Sequence, residues 1–169
     1  AEIARAVKAG KIRYAGVSNF SPAQMDRVRA IHPVASLQPP YSMLRRDVER
    51  EILPYCAKHG IGVVVYSPMQ AGLLTGAFTR ERAAALPADD WRRGNALFTE
   101  PQLSRNLALV EKLRAVAARH GKSPAELAIA WVLRRPEVTA AIVGGRRPEQ
   151  VEQTVGGADC CLLYTSPRP

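Results

Sequence analysis

The chain has 169 residues, and 24 basic against 15 acidic side chains give it a net charge of +9. At 47% hydrophobic it has the length and composition of one globular domain with its own core, and no apolar run reaches the roughly 18 residues of a membrane span. The charge is mostly arginine, in pairs scattered along the chain, and aromatics are only 6%; a nucleic-acid binder concentrates its charge and interleaves aromatics, so the expectation is a solvated basic surface with an anion site at one pair.

Taken in order, Ala1–Lys11 reads as an amphipathic helix and not as a signal peptide. The chain opens inside that helix without Met, so a piece of a longer protein is expected. Ile12–Ser18 reads as a buried strand. Ser21-Pro22-Ala23-Gln24 starts a helix, with Ser at the cap, Pro in the first turn and Gln three residues on. That helix runs to about Ile31, where His32-Pro33 ends it. Val34–Gln38 is a second short strand, and Asp47–His59 a helix stopped by Gly60. Ile61–Tyr66 is apolar on both faces, which implies a parallel sheet covered by helices.

From Pro68 to about Gln102 the pattern is irregular, a length of loop that is usually functional. Leu103–His120 is an amphipathic helix with Leu103, Leu107, Val110, Leu113 and Val116/Ala117 on one stripe. Ser123-Pro124-Ala125-Glu126 is a capping box opening a further helix to about Arg135. Thr139–Val143 is a fourth strand, Gly144-Gly145 turns it, and Pro148 starts a last helix. Four strands separated by helices make an α/β chain of about half an eight-stranded barrel. The organised part is residues 1–158; residues 159–169 carry no helix or strand logic and read as a non-native or disordered tail. Cys56 stands alone, Cys160 and Cys161 are adjacent, and neither pattern makes a disulfide framework or a metal site with His. A reducing, cytoplasmic compartment fits this cysteine usage.

Ligands of a barrel bind where strands end, and four strand ends here carry small or polar residues. Ser18 and Asn19 offer a hydroxyl and an amide, suited to a ligand with its own carboxamide; the alternative is a turn with Asn in a left-handed conformation. Gln38 ends an apolar strand before Pro39-Pro40, and its amide needs a partner from a ligand or from the backbone. Tyr66 is either a core aromatic or a face for stacking on a planar ring. Ser67–Gly76 is poor in bulky side chains and offers backbone N–H groups to phosphate, or is an ordinary flexible loop. Gly144-Gly145-Arg146-Arg147-Pro148 follows a strand and opens a helix, an anion site by position, with Arg146 a forked donor; a solvated arginine pair is the alternative.

These segments resemble the aldo-keto reductases: Gly16-Val17-Ser18-Asn19-Phe20, Leu37-Gln38-Pro39-Pro40-Tyr41-Ser42, Val65-Tyr66-Ser67-Pro68 with Gly72-Leu73-Leu74-Thr75-Gly76, and Ile142–Gln153. They occur in that family's order and spacing. The resemblance implies a (β/α)8 TIM barrel of which this is the C-terminal half, about strands five to eight. It implies NADPH as cofactor, NADH less often, and a small-molecule carbonyl substrate, with no nucleic-acid or membrane partner. It assigns Ser18, Asn19 and Gln38 to the nicotinamide carboxamide and Tyr66 to the nicotinamide ring. It assigns Ser67, Pro68, Met69, Gly72 and Leu73 to the loop over the pyrophosphate. It gives Gly144, Arg146 and Gln150 to the adenosine 2′-phosphate, and Gln153 and Thr154 to adenine. Two departures are visible: Ala77 stands where the family often has Lys, and Gln153-Thr154 where it commonly has Glu-Asn. The family's Tyr, Lys, Asp and His for proton donation match nothing here, so they are expected upstream, and the isolated chain is expected to be inactive. His32, His59 and His120 sit beside Pro or Gly at element ends and read as structural. A cofactor-binding regulatory subunit of the same fold, without turnover, is the alternative function.

Overall fold

The computed structural model describes residues 1–160, so the tail expected from residue 159 lies almost wholly outside the described residues. Among the described residues there are seven helices and four strands, alternating as far as β3 and then running through three successive helices before β4, with short 3-10 turns between. They are α1 (Glu2–Lys8), β1 (Gly16–Ser18), α2 (Pro22–Arg29), β2 (Ser36–Gln38), α3 (Ile52–His59), β3 (Gly62–Tyr66), α4 (Arg80–Ala84), α5 (Gln102–Arg119), α6 (Pro124–Leu133), β4 (Val138–Ile142) and α7 (Pro148–Val155). The chain divides into two units, one of Ala1–Pro68 with Val132–Val143, the other of Met69–Trp131 with the residues from Gly144 on. No helix among the described residues is long and apolar enough to cross a membrane.

The first unit is a four-stranded parallel sheet in the order β1-β2-β3-β4. Its register puts Val17 beside Leu37 and Leu37 beside Val63. That face is closed: Leu37, Val63 and Val65 are fully buried, with Met25 of α2 and Leu53 and Cys56 of α3 in the same core. The other face carries Ser18 beside Gln38, and then Val64 and Tyr66, and stays open. The sheet is therefore buried on one face, where β3 was expected to be buried on both. Gly16 lies opposite Ser36 on the open face, and a Cβ there would meet the Ser36 hydroxyl at 2.5 Å. Between β3 and β4 the register slips: Val63 pairs with Val138 but Val64 pairs with Ala140, leaving Thr139 as a bulge. The Val63 N–H then donates to Thr139 Oγ1 at 3.3 Å.

The expected strand Ile12–Ser18 shrinks to Gly16–Ser18, and Ile12 and Tyr14 lie exposed. Among the described residues β1 is an edge strand paired with β2, and β2 begins only after Pro33, which has no N–H to give a ladder. The expected helix Asp47–His59 splits into a 3-10 turn, Asp47–Glu49, and α3 from Ile52. Pro54 explains the break: its ring would clash with the Arg50 carbonyl four residues back, so it is tolerated only in a first turn. Gly60 stops α3 in the left-handed conformation, φ 63°. The capping boxes hold at both predicted sites. Ser21 Oγ accepts the Gln24 N–H as Gln24 Oε1 accepts the Ser21 N–H, and Ser123 and Glu126 exchange the same pair.

In the second unit the segment expected to be irregular is built from short helical turns, three of them started by a short polar side chain. Thr79 Oγ1 accepts the Arg82 N–H, Asp90 Oδ1 that of Arg92, and Asn95 Oδ1 that of Leu97. Phe78 and Trp91 both meet Phe98 edge to face, at 5.2 and 5.8 Å, and give the segment a small core.

Candidate functional site

The first unit gathers Ser18, Asn19, Gln38 and Tyr66 at the carboxyl ends of β1, β2 and β3. Ser18 Oγ donates to the Gln38 carbonyl at 2.9 Å, and the Asn19 N–H to the same oxygen at 3.1 Å. Asn19 does take the left-handed conformation, φ 58°. Its side chain is engaged as well: the Tyr66 hydroxyl donates to Asn19 Oδ1 at 3.2 Å. The Tyr66 backbone is held on both sides of its peptide, its N–H by the Pro39 carbonyl at 3.0 Å and its C=O by the Tyr41 N–H at 3.2 Å. The half-buried Tyr66 ring is therefore fixed at both ends. Gln38 is exposed, and its amide has no partner among the described residues. Ser67 leaves β3 exposed and left-handed, φ 55°, and Pro68 after it is buried.

What remains unused there is a matched set. Ser18 Oγ has spent its proton and keeps acceptor lone pairs; Asn19 has spent Oδ1 and keeps its NH₂ donors; Gln38 keeps both. A planar carboxamide, which donates and accepts at once, fits that set, and a half-exposed aromatic ring stands beside it. Asn19 and Tyr66 also border an open cavity of about 640 Å³ with Pro39, Pro40 and the start of α2.

The second unit holds a cleft of about 380 Å³ lined by Met69, Gly72, Arg82, Arg92, Gly144, Arg147, Gln150, Gln153 and Thr154, among others. Three arginines and no carboxylate line it. Arg92 is forked onto Asp90 at 3.0 and 2.6 Å, and its guanidinium holds the Asp90 carboxyl down to about 2. Arg82 and Arg147 are held loosely, Arg82 at 3.5 Å from the Ala77 carbonyl and Arg147 at 4.0 Å from Glu149.

The structure places the predicted residues of this cleft unevenly. Arg146 is not on its lining; its neighbour Arg147 is. Gln150 turns its Oε1 back onto the N–H groups of Arg146 and Arg147, at 2.6 and 3.2 Å, so it caps α7 and keeps only its NH₂ for a ligand. Thr154 Oγ1 donates into its own helix and keeps only acceptor capacity. Leu73 is fully buried, and its N–H donates to the Gln70 carbonyl. The N–H groups of Gly72, Leu74 and Thr75 are likewise spent on Met69 and Gly72 carbonyls, so that loop offers phosphate fewer donors than its composition suggests. The cleft residues that the sequence reading did not assign include Phe78, Arg82, Arg92 and Arg147. No group of His, Cys, Asp and Glu that could hold a metal ion exists among the described residues.

The chain is similar in sequence and fold to known proteins. The aldo/keto reductase family model matches residues 1–163. Aldo-keto reductase YhdN of Bacillus subtilis is 41% identical over 145 residues, covering 85% of this chain and 43% of its own. A Glycine max protein named "Probable aldo-keto reductase 1" is 34% identical over 92% of this chain and 44% of its own. The structure of a glycerol dehydrogenase from Gluconobacter oxydans superposes with a TM-score of 0.89 at 38% identity, covering 96% of this chain and 49% of that one. The chain thus spans about half the length of the relatives it matches, and its parallel sheet corresponds to part of their (β/α)8 barrel. A match along nearly the whole chain, joined to a fold match at this identity, places the chain in the aldo/keto reductase family.

Proposed function

We infer that this chain binds a nicotinamide dinucleotide, NADPH in preference to NADH, for an oxidoreductase that reduces aldehydes or ketones to alcohols. The observation that carries the reading is the carboxamide-complementary set of Ser18, Asn19 and Gln38 beside the fixed ring of Tyr66. Ser18 and Gln38 would accept from the nicotinamide amide, Asn19 and Gln38 would donate to its carbonyl, and Tyr66 would support the ring. The arginine-lined cleft of the second unit would take the phosphorylated adenosine end, through Arg147 with Arg82, Gln153 and Thr154. The cofactor supplies the hydride; this chain's residues bind and orient it. The family relationship supports the carbonyl substrate class.

Titration of the 169-residue chain with nicotinamide mononucleotide and with adenosine 2′-monophosphate, by calorimetry, tests both halves of the reading. Both are expected to bind. Tyr66→Ala is expected to abolish the first and spare the second, and Tyr66→Phe to keep most of the first, because the ring matters more than the hydroxyl. Loss in Tyr66→Phe equal to that in Tyr66→Ala would make the hydroxyl the working group and remove the stacking role.

A further inference from the structure

Tyr41 follows the two prolines that end β2, and its side chain is fully buried. Pro39 and Pro40 have no N–H, so the Tyr41 N–H is the first donor that this segment can give to β3. It goes to the Tyr66 carbonyl at 3.2 Å, while the Pro39 carbonyl takes the Tyr66 N–H at 3.0 Å.

A buried phenol that only filled space would be served as well by Phe. Here the Tyr41 hydroxyl donates to Glu49 Oε1 at 2.6 Å and accepts from Arg134 Nη1 at 3.4 Å. Glu49 also takes a fork from Arg46, 2.7 Å at its shorter arm, and lies 3.5 Å from Arg134 Nη2. Three separate stretches of chain, at residues 41, 46–49 and 134, thus converge on one phenol oxygen. Burial pushes that phenol up to about 12, and the Arg46 guanidinium holds the Glu49 carboxyl down to about 2. The protonation pattern is fixed across the neutral range, and a connected polar network selects one rotamer where apolar packing would allow several.

We propose that Tyr41, locked by Glu49 and Arg134, is a positioning residue that sets the Tyr66 ring and with it the nicotinamide end of the site. The proposal rests on the cofactor reading given above. The route is short: phenol lock, Tyr41 backbone, Tyr66 carbonyl, Tyr66 ring. With the lock opened, the ring keeps its tether to Asn19 and the Tyr66 N–H keeps its bond to Pro39, while the hold of Tyr41 on the Tyr66 carbonyl is loosened.

The test compares Tyr41→Phe, Glu49→Ala and Glu49→Gln in the full chain. The probes are nicotinamide mononucleotide and adenosine 2′-monophosphate, with thermal denaturation alongside. Tyr41→Phe and Glu49→Ala break the bond to the phenol; Glu49→Gln keeps an acceptor for it while removing the charge that Arg46 and Arg134 share. The expected result is a fivefold to tenfold loss of mononucleotide affinity in the first two and less than twofold in Glu49→Gln. Affinity for the 2′-phosphate probe should be unchanged in all three. A merely structural network would instead make mononucleotide affinity follow melting temperature, so that Glu49→Gln lost as much as Glu49→Ala; that result overturns the proposal. Should Tyr41→Phe fail to fold, the two Glu49 variants decide the matter alone. A native chain that binds neither probe refutes the cofactor reading and this proposal with it. A native chain that binds both, with variants that do so equally well, refutes the positioning role alone.

Discussion

Gln150 and Arg147 show how much depends on single side chains. Gln150 gives its carboxamide oxygen to two backbone donors at the start of α7, the donors that a phosphate would otherwise use. The anion recognition proposed for the cleft would then fall to guanidinium groups. Arg146 and Arg147 are adjacent, and the sequence favoured Arg146; only Arg147 reaches the lining. Arg147→Ala is therefore expected to weaken adenosine 2′-monophosphate binding by about 1.5–3 kcal/mol, the range for a hydrogen bond to a charged group. Arg146→Ala should cost less than half of that, and binding of adenosine 5′-monophosphate should hardly change in either. Calorimetric titration of both variants decides between them. A larger loss in Arg146→Ala would place the phosphate outside the cleft.

At the scale of elements, the segment between β2 and α3 is pinned by Glu49, and its stability should carry an acid signature. The Glu49 carboxyl, held by Arg46 to about 2, sits well below its ordinary 4.5. Its ionised form is favoured in the folded state, so this stabilisation is complete above about 4.5 and is lost as pH falls from there toward 2. Chemical denaturation between pH 6 and 2.5 should show a steeper decline for the native chain than for Glu49→Gln; parallel curves would show that Glu49 does not contribute. Elements coded by local signals were readable from the sequence. α2 and α6 announce themselves with capping boxes, β3 with an unbroken apolar run, and α5 with its stripe. Elements that depend on distant partners were not. Ile12 and Tyr14 have strand composition but no neighbouring strand, and Pro54 delays α3 although the helical pattern starts earlier. The turns begun by Thr79, Asp90 and Asn95 lean on Phe98, which a local reading does not connect to Phe78. The site follows the same division. Ser18, Gln38 and Tyr66 end their strands, with Asn19 just beyond Ser18, and were legible together. Arg82 and Arg92 reach the cleft only through the fold of that turn-built segment.

At the scale of the molecule, the first unit ends at β1 on one side of its sheet and at β4 on the other, with Ile142 and Val143 exposed. Open edges of a parallel sheet with apolar residues beside them invite pairing with another strand. The purified 169-residue chain is therefore expected to self-associate, and to show no carbonyl reduction with NADPH, since the proton donor is expected upstream of these residues. Light scattering on a sizing column and an NADPH-oxidation assay read the two; a monodisperse monomer that consumes NADPH with an aldehyde would contradict both. The bulge at Thr139 bears on this sheet in a different currency, that of insertions and deletions. Thr139 is the supernumerary residue of β4, and the pairs beyond it, from Val64 with Ala140 to Tyr66 with Ile142, are in phase only because it is skipped. A frame-preserving loss of its codon would let Val138 run directly into Ala140 on a regular ladder, with every later pair unchanged. Loss of the next codon, Ala140, would put Thr139 opposite Val64 by the same shift. A deletion scan should thus find β4 tolerant at these two positions, while the same lesion at Leu37 or Val65 turns buried side chains to the open face.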